Sequence, residues 1–135
     1  MITENLFWTL PVLLAALLTS IITRKHKERE RFNNAADEFR ETFIPEQRLL
    51  SYDSLADRTG TNAHDIIKAA INRHEIAMMK FKPFVCKTKI DAYEKAWQDY
   101  TGDSKHLEKY STDRHIDIPA KKKLALDNIN AILKF

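Results

Sequence analysis

The apolar positions of this chain fall into two patterns, and the first is not periodic. Leu6 to Ile22 reads LFWTLPVLLAALLTSII, with no charged residue and only Thr9, Thr19 and Ser20 as polar interruptions. As a helix rising about 1.5 Å per residue, this stretch covers roughly 25 Å, and Thr23 with the residues before Leu6 extends it to a spanning length. Trp8 stands near one end, where an indole settles at headgroup level, and Pro11 predicts a kink that a membrane helix tolerates.

Beyond Thr23 the apolar residues recur at helical spacing. Phe32, Ala35, Ala36, Phe39 and Phe43 line one face of a juxtamembrane helix over 24–44, which the sequence stops before Pro45. Thr61-Asn62 offers an N-cap to the stripe Ile67, Ala70/Ile71, His74, Ala77/Met78, Phe81, which Pro83 breaks. Cys86, Ile90, Tyr93, Trp97 and Tyr100 predict a further amphipathic helix ended by Gly102. Residues 103–118 read as a polar, irregular loop. Ile118-Pro119 then starts a last helix with Leu126, Ile129 and Leu133 inward. Stripes of this kind must be buried against one another, so the expected fold is all-α: an N-terminal transmembrane helix (1–23) continuing into a small cytosolic helical bundle (24–135). The aromatic residues of these stripes are expected to supply most of the buried area.

Composition agrees with helices. The chain has 135 residues with two glycines and four prolines, too few for the tight turns of a sheet protein. Its single cysteine, Cys86, excludes an internal disulfide. The formal charge of +3 is small, but its distribution matters. Residues 24–31 carry +3, 32–79 carry −3, 80–90 carry +4, 91–118 carry −3 and 119–135 carry +3. These blocks are either solvated helix faces of mixed charge or, more sharply, basic surfaces gathered toward an anionic leaflet. A cleaved secretory signal would carry bases before the apolar run and small residues after it. Here Glu4 precedes the run and Arg24-Lys25-His26-Lys27 follows it. The flanking bases predict a single-pass signal anchor in a cell inner membrane, with the N-terminus out and the remainder cytoplasmic. Arg24, Lys25, Lys27 and Arg29 are the expected contacts to the membrane surface.

Candidate chemistry is sparse. His74-Glu75 begins an H-E-x-x-H motif, but Met78 stands where the second histidine belongs. His115 and Asp117 supply two ligands at most, and there is no Gly-rich phosphate loop, G-x-S-x-G or Cys/His framework. The sequence therefore predicts no enzyme, no metal and no cofactor. His74 interrupts an apolar stripe, either as a satisfied core histidine or as a pH-sensitive or ligand-binding group. With Glu75 and Trp97 it makes up the candidate binding residues. A helix-turn-helix over 54–72 is a further option, because Ala56, Gly60 and Ile66 have its spacing. Thr59, Thr61 and Asp65 depart from the motif, its recognition helix offers only Lys68 and Arg73 to phosphate, and nucleic acid is not the expected partner.

The segments Ile66-Ile67-Lys68-Ala69-Ala70, His74-Glu75-Ile76-Ala77, Phe81 and Ala96-Trp97-Gln98-Asp99-Tyr100 resemble short bacterial proteins of no established function. These carry one N-terminal span and share a His-Glu-x-Ala … Phe … Ala-Trp-x-x-Tyr arrangement. The resemblance runs from about Phe39 to Tyr100. It implies the anchor and the helical class, and it brings no activity with it. The function expected is a non-catalytic, membrane-tethered interaction module whose partners are the lipid bilayer and a protein. A tethered DNA-binding regulator is the first alternative, and a phage- or mobile-element-borne protein acting on membrane components is the second.

Overall fold

The computed structural model describes residues 2–51, 62–102, 107–111 and 118–135, with side chains from residue 7 onward. The described residues form four α-helices and no strand: α1 (Ile2–Ser51), α2 (Ala63–Phe81), α3 (Ile90–Thr101) and α4 (Ile118–Ile132). The chain divides into two compact units, Met1–Ala35 and Ala36–Phe135.

In the first unit, α1 is apolar on every side. Phe7 and Trp8 are 86% and 80% exposed, and Leu10, Val12, Leu13, Leu14, Leu17, Leu18, Ile21 and Ile22 are exposed with them. Among the described residues, this helix is long and apolar enough to cross a membrane. Two of its polar groups are satisfied within the helix. Thr19 Oγ1 donates to the Ala15 carbonyl and Thr23 Oγ1 to the Thr19 carbonyl, each at 2.8 Å. Hydrocarbon demands such internal pairing. Arg24, Lys25, Lys27 and Arg29 follow on the same helix and are exposed.

The second unit begins at Ala36, whereas the expected domain begins at Arg24. Its first element is the remainder of α1, and here the structure corrects the sequence reading: the helix does not stop before Pro45 but runs through it to Ser51. A proline inside a helix removes one donor and leaves the carbonyl four residues earlier unpaired. Glu41 and Pro45 both lie on the exposed face, where water can serve that carbonyl. The opposite face keeps its period, with Ala36, Phe39, Phe43, Glu46 and Leu50 all buried.

Asn62 caps α2 as its sequence position predicts, its side-chain oxygen accepting from Asp65 N at 2.9 Å. Ala63, Ile66, Ile67, Ala70, His74, Ala77, Met78 and Phe81 form the buried face. Phe39 stacks on Phe81 at 4.5 Å and Phe43 on His74 at 4.1 Å, so α2 runs antiparallel to the 36–51 part of α1. Two 3₁₀ turns, Lys82–Phe84 and Lys87–Lys89, carry the chain round. The Tyr93 hydroxyl donates to Met78 O at 2.8 Å, while Tyr100 reaches His74, so α3 returns antiparallel to α2. Gly102 ends α3 with φ 75° and ψ 177°, a region open essentially to glycine alone, and its N–H bonds Gln98 O. α4 is antiparallel to α3: Asn128 donates to Asp99 O at 3.2 Å and Phe135 packs edge-on to Tyr93 at 5.5 Å.

Three expected details shift. α3 starts at Ile90 rather than Cys86, which is exposed and extended at ψ 137°. Lys87 and Lys89 at that point oppose the positive end of a helix dipole and delay the helix. Within the expected loop 103–118, Leu107 and Tyr110 are buried around a 3₁₀ turn, Glu108–Tyr110, while 103–106 and 112–117 lie outside the described residues. On α4 the buried positions are Ile118, Lys122, Ala125, Ile129 and Ile132, while Leu126 and Leu133 are half-buried. Burial of a lysine rotates the inner face away from the purely apolar stripe.

Candidate functional site

Five polar side chains of the second unit are joined into one chain of contacts, Glu46, His74, Tyr100, Tyr110 and Asn128. Glu46 of α1 is 5% exposed and His74 of α2 is fully buried. His74 Nε2 lies 2.9 Å from Glu46 Oε2, and Arg73 donates to the other carboxylate oxygen. On its far side, His74 Nδ1 lies 2.8 Å from the Tyr100 hydroxyl of α3. A carboxylate can only accept, so Nε2 carries the imidazole proton and Nδ1 accepts from Tyr100. Tyr110 continues the chain, donating to the Tyr100 carbonyl at 2.6 Å and accepting from Asn128 of α4 at 2.9 Å. All four helices contribute a member. Among the described residues no buried side-chain polar atom lacks a partner.

Elements place these groups for simple reasons. Glu46 sits three residues after Phe43 on the buried face of α1, and His74 lies midway along the buried stripe of α2. The Phe43 ring stacks on the imidazole with an interplanar angle of 26°, fixing its plane and excluding water from one side. Burial pushes the His74 pKa below its ordinary 6.5, against the hydrogen bond and the charge of Glu46. The Arg73 charge works in the same direction as burial, and the Thr42 backbone in the opposite one. Tyr100 and Tyr110 are both pushed above the usual phenol range, chiefly by burial.

A hydroxyl, an imidazole and a carboxylate in hydrogen-bonded series can move a proton along the series in principle. Here the hydroxyl end is Tyr100, which is fully buried and whose raised pKa opposes ionisation. The arrangement joins three helices by directional bonds, with Arg73 as its half-exposed end.

Of the residues singled out from sequence, His74 is the hub of this network. Glu75, its neighbour, is half-buried, and the carboxylate that meets the imidazole is that of Glu46. Trp97 is half-buried too, its ring 5.6 Å from that of Tyr100, so it is not the interior anchor that its stripe suggested. The half of the helix-turn-helix before Asn62 lies outside the described residues, as do His115 and Asp117. In its second half Lys68 is exposed and Arg73 is engaged by Glu46. Glu46, Tyr110, Asn128 and Lys122 were not singled out. Glu46 would have emerged from extending the period of Phe39 and Phe43 past the proline. Among the described residues there is no group of three or more His, Cys, Asp or Glu side chains placed to hold a metal. No protein-family model, curated protein or solved structure matches the chain.

Proposed function

We propose that this protein is a non-catalytic helical module tethered to a bacterial inner membrane, where it holds a protein partner at the cytoplasmic surface. The observation that carries the tether is the surface of α1 from Phe7 to Ile22, apolar on all sides and exposed, followed at once by Arg24, Lys25, Lys27, Arg29 and Arg31. Apolar area of that extent is stable only in lipid or against other chains, and the adjacent bases favour retention on the cytoplasmic side. The non-catalytic part rests on the buried network of Glu46, His74 and Tyr100, whose reactive atoms are turned into packing.

A reporter fused after Phe135 tests the topology, and it is expected to be active in the cytoplasm and silent in the periplasm. Periplasmic activity overturns the orientation. Photo-crosslinking from exposed α2 positions such as Ile76, in intact membranes, is expected to give one discrete adduct. Crosslinks to lipid alone overturn the protein-partner reading.

A further inference from the structure

Residues 80–90 contain Lys80, Lys82, Lys87 and Lys89 and no acidic residue. Lys80 lies in the last turn of α2 and the other three in the two 3₁₀ turns between α2 and α3, and all four lysines are exposed. Apolar side chains stand out among them: Met79 is 70% exposed and Phe84 is 40% exposed, its ring leaning on Phe81 at 6.2 Å. Within the second unit, this patch lies at the end where the chain enters through Ala36. Phe39 stacks on Phe81 there, and Lys80 comes within 3.9 Å of Glu38. Phe135 packs on Tyr93 at that same end.

The geometry points to Met79, Phe84, Lys87 and Lys89 as a surface of the bundle that docks on an anionic lipid headgroup layer. Lysines around a protruding ring are what such a layer recognises: the ammonium groups meet phosphates while the apolar groups enter the headgroup boundary. Lys82 is partly neutralised by Glu94 at 2.5 Å and Lys80 by Glu38, which leaves Lys87 and Lys89 as the leading cations. A nucleic acid would use the same charges, but Met79 and Phe84 add area that phosphate recognition does not need. The inference rests on the tethered reading, since a surface of a few lysines and one ring binds lipid weakly unless an anchor keeps it close.

The single cysteine supplies the probe, because Cys86 is exposed in the middle of the patch. The full chain, labelled there with an environment-sensitive fluorophore, is reconstituted into vesicles of phosphatidylcholine alone and of phosphatidylcholine mixed with phosphatidylglycerol. Emission is expected to shift to the blue, and a lipid-borne quencher to act several-fold more strongly, in the anionic vesicles only. High salt and the double change Lys87→Glu/Lys89→Glu should each abolish the difference, and Phe84→Ser should reduce the blue shift. Equal emission and quenching in both lipids, with the chain still floating with the vesicles at high salt, overturns the docking surface and leaves the tether intact. Failure to float with either vesicle overturns the tether and this inference with it. A response to added duplex DNA but not to lipid composition assigns the patch to nucleic acid instead.

Discussion

Glu46 and His74 stand 28 residues apart in sequence and 2.9 Å apart in space, one on α1 beyond a proline and the other in the middle of α2. Their contact joins the first two helices of the bundle by a directional bond. Each also holds a second partner, Arg73 for the carboxylate and Tyr100 for the imidazole. Removing either member therefore costs two groups a partner rather than one.

His74→Phe keeps an aromatic ring against Phe43 but leaves the Glu46 carboxylate short of one donor and the Tyr100 hydroxyl without its acceptor. Leaving a buried group short of its hydrogen-bond partner costs about 1–3 kcal/mol. The double change His74→Phe/Glu46→Leu removes the need of the carboxylate but not that of the Tyr100 hydroxyl, and should recover part of the loss. Denaturant titration of the full chain in detergent, followed by helical circular dichroism, reads both values. A double variant no more stable than the single one would show that shape, not polar pairing, dominates here.

The same histidine gives stability a pH dependence of defined sign. Because its folded pKa lies below the ordinary 6.5, the unfolded chain binds the extra proton first as pH falls. The contribution is complete above the unfolded value and is lost as pH drops through 6.5 toward the folded value. Melting temperature should fall from neutral pH to about pH 5. In the His74→Phe/Glu46→Leu variant that slope should be reduced. A slope unchanged by the double substitution would assign the acid sensitivity to other groups.

Gly102 is the site of a backbone test. At φ 75° and ψ 177° a Cβ meets nothing within 4 Å, so Gly102→Ala introduces strain without a clash. The expected loss is about 1–3 kcal/mol, with the helical spectrum below the transition unchanged. A neutral outcome would mean that the chain after α3 relaxes into another path.

Trp97 separates packing from docking. Half-buried beside Tyr100, it should cost roughly 1–2 kcal/mol on replacement by alanine, well under the 3–5 of a fully buried ring. Partner crosslinking that vanishes while stability changes this little would mark the exposed indole edge as part of a binding face. A loss as large as that of a buried ring would restore it to the interior.

Much of this architecture was legible from spacing. The unbroken run Leu6–Ile22, the cap at Asn62, the break at Pro83 and the stop at Gly102 each follow from a local rule that the tertiary fold does not disturb. The misreadings share another origin. Pro45 reads as a stop because proline disfavours a helix locally, yet burial of Phe43, Glu46 and Leu50 outweighs one lost hydrogen bond on a wet face. That single misplacement hid Glu46, and with it the partner that explains His74. Lys122 and Tyr110 were passed over because each sits in a polar stretch, where only the folded chain shows which residue points inward.

The hydrogen-bonded series also sets the register of the bundle. Apolar stripes rich in Ala, Ile and Phe match one another at several offsets, and dispersion alone discriminates weakly between them. Sliding α2 along α1 by one helical turn would bring Ala70 or Met78 opposite Glu46 in place of His74. Neither can donate a hydrogen bond, and a carboxylate stranded in the interior is costly enough to reject both offsets. The imidazole thus acts as a key cut for one alignment, so that a small, glycine-poor bundle settles into a single packing.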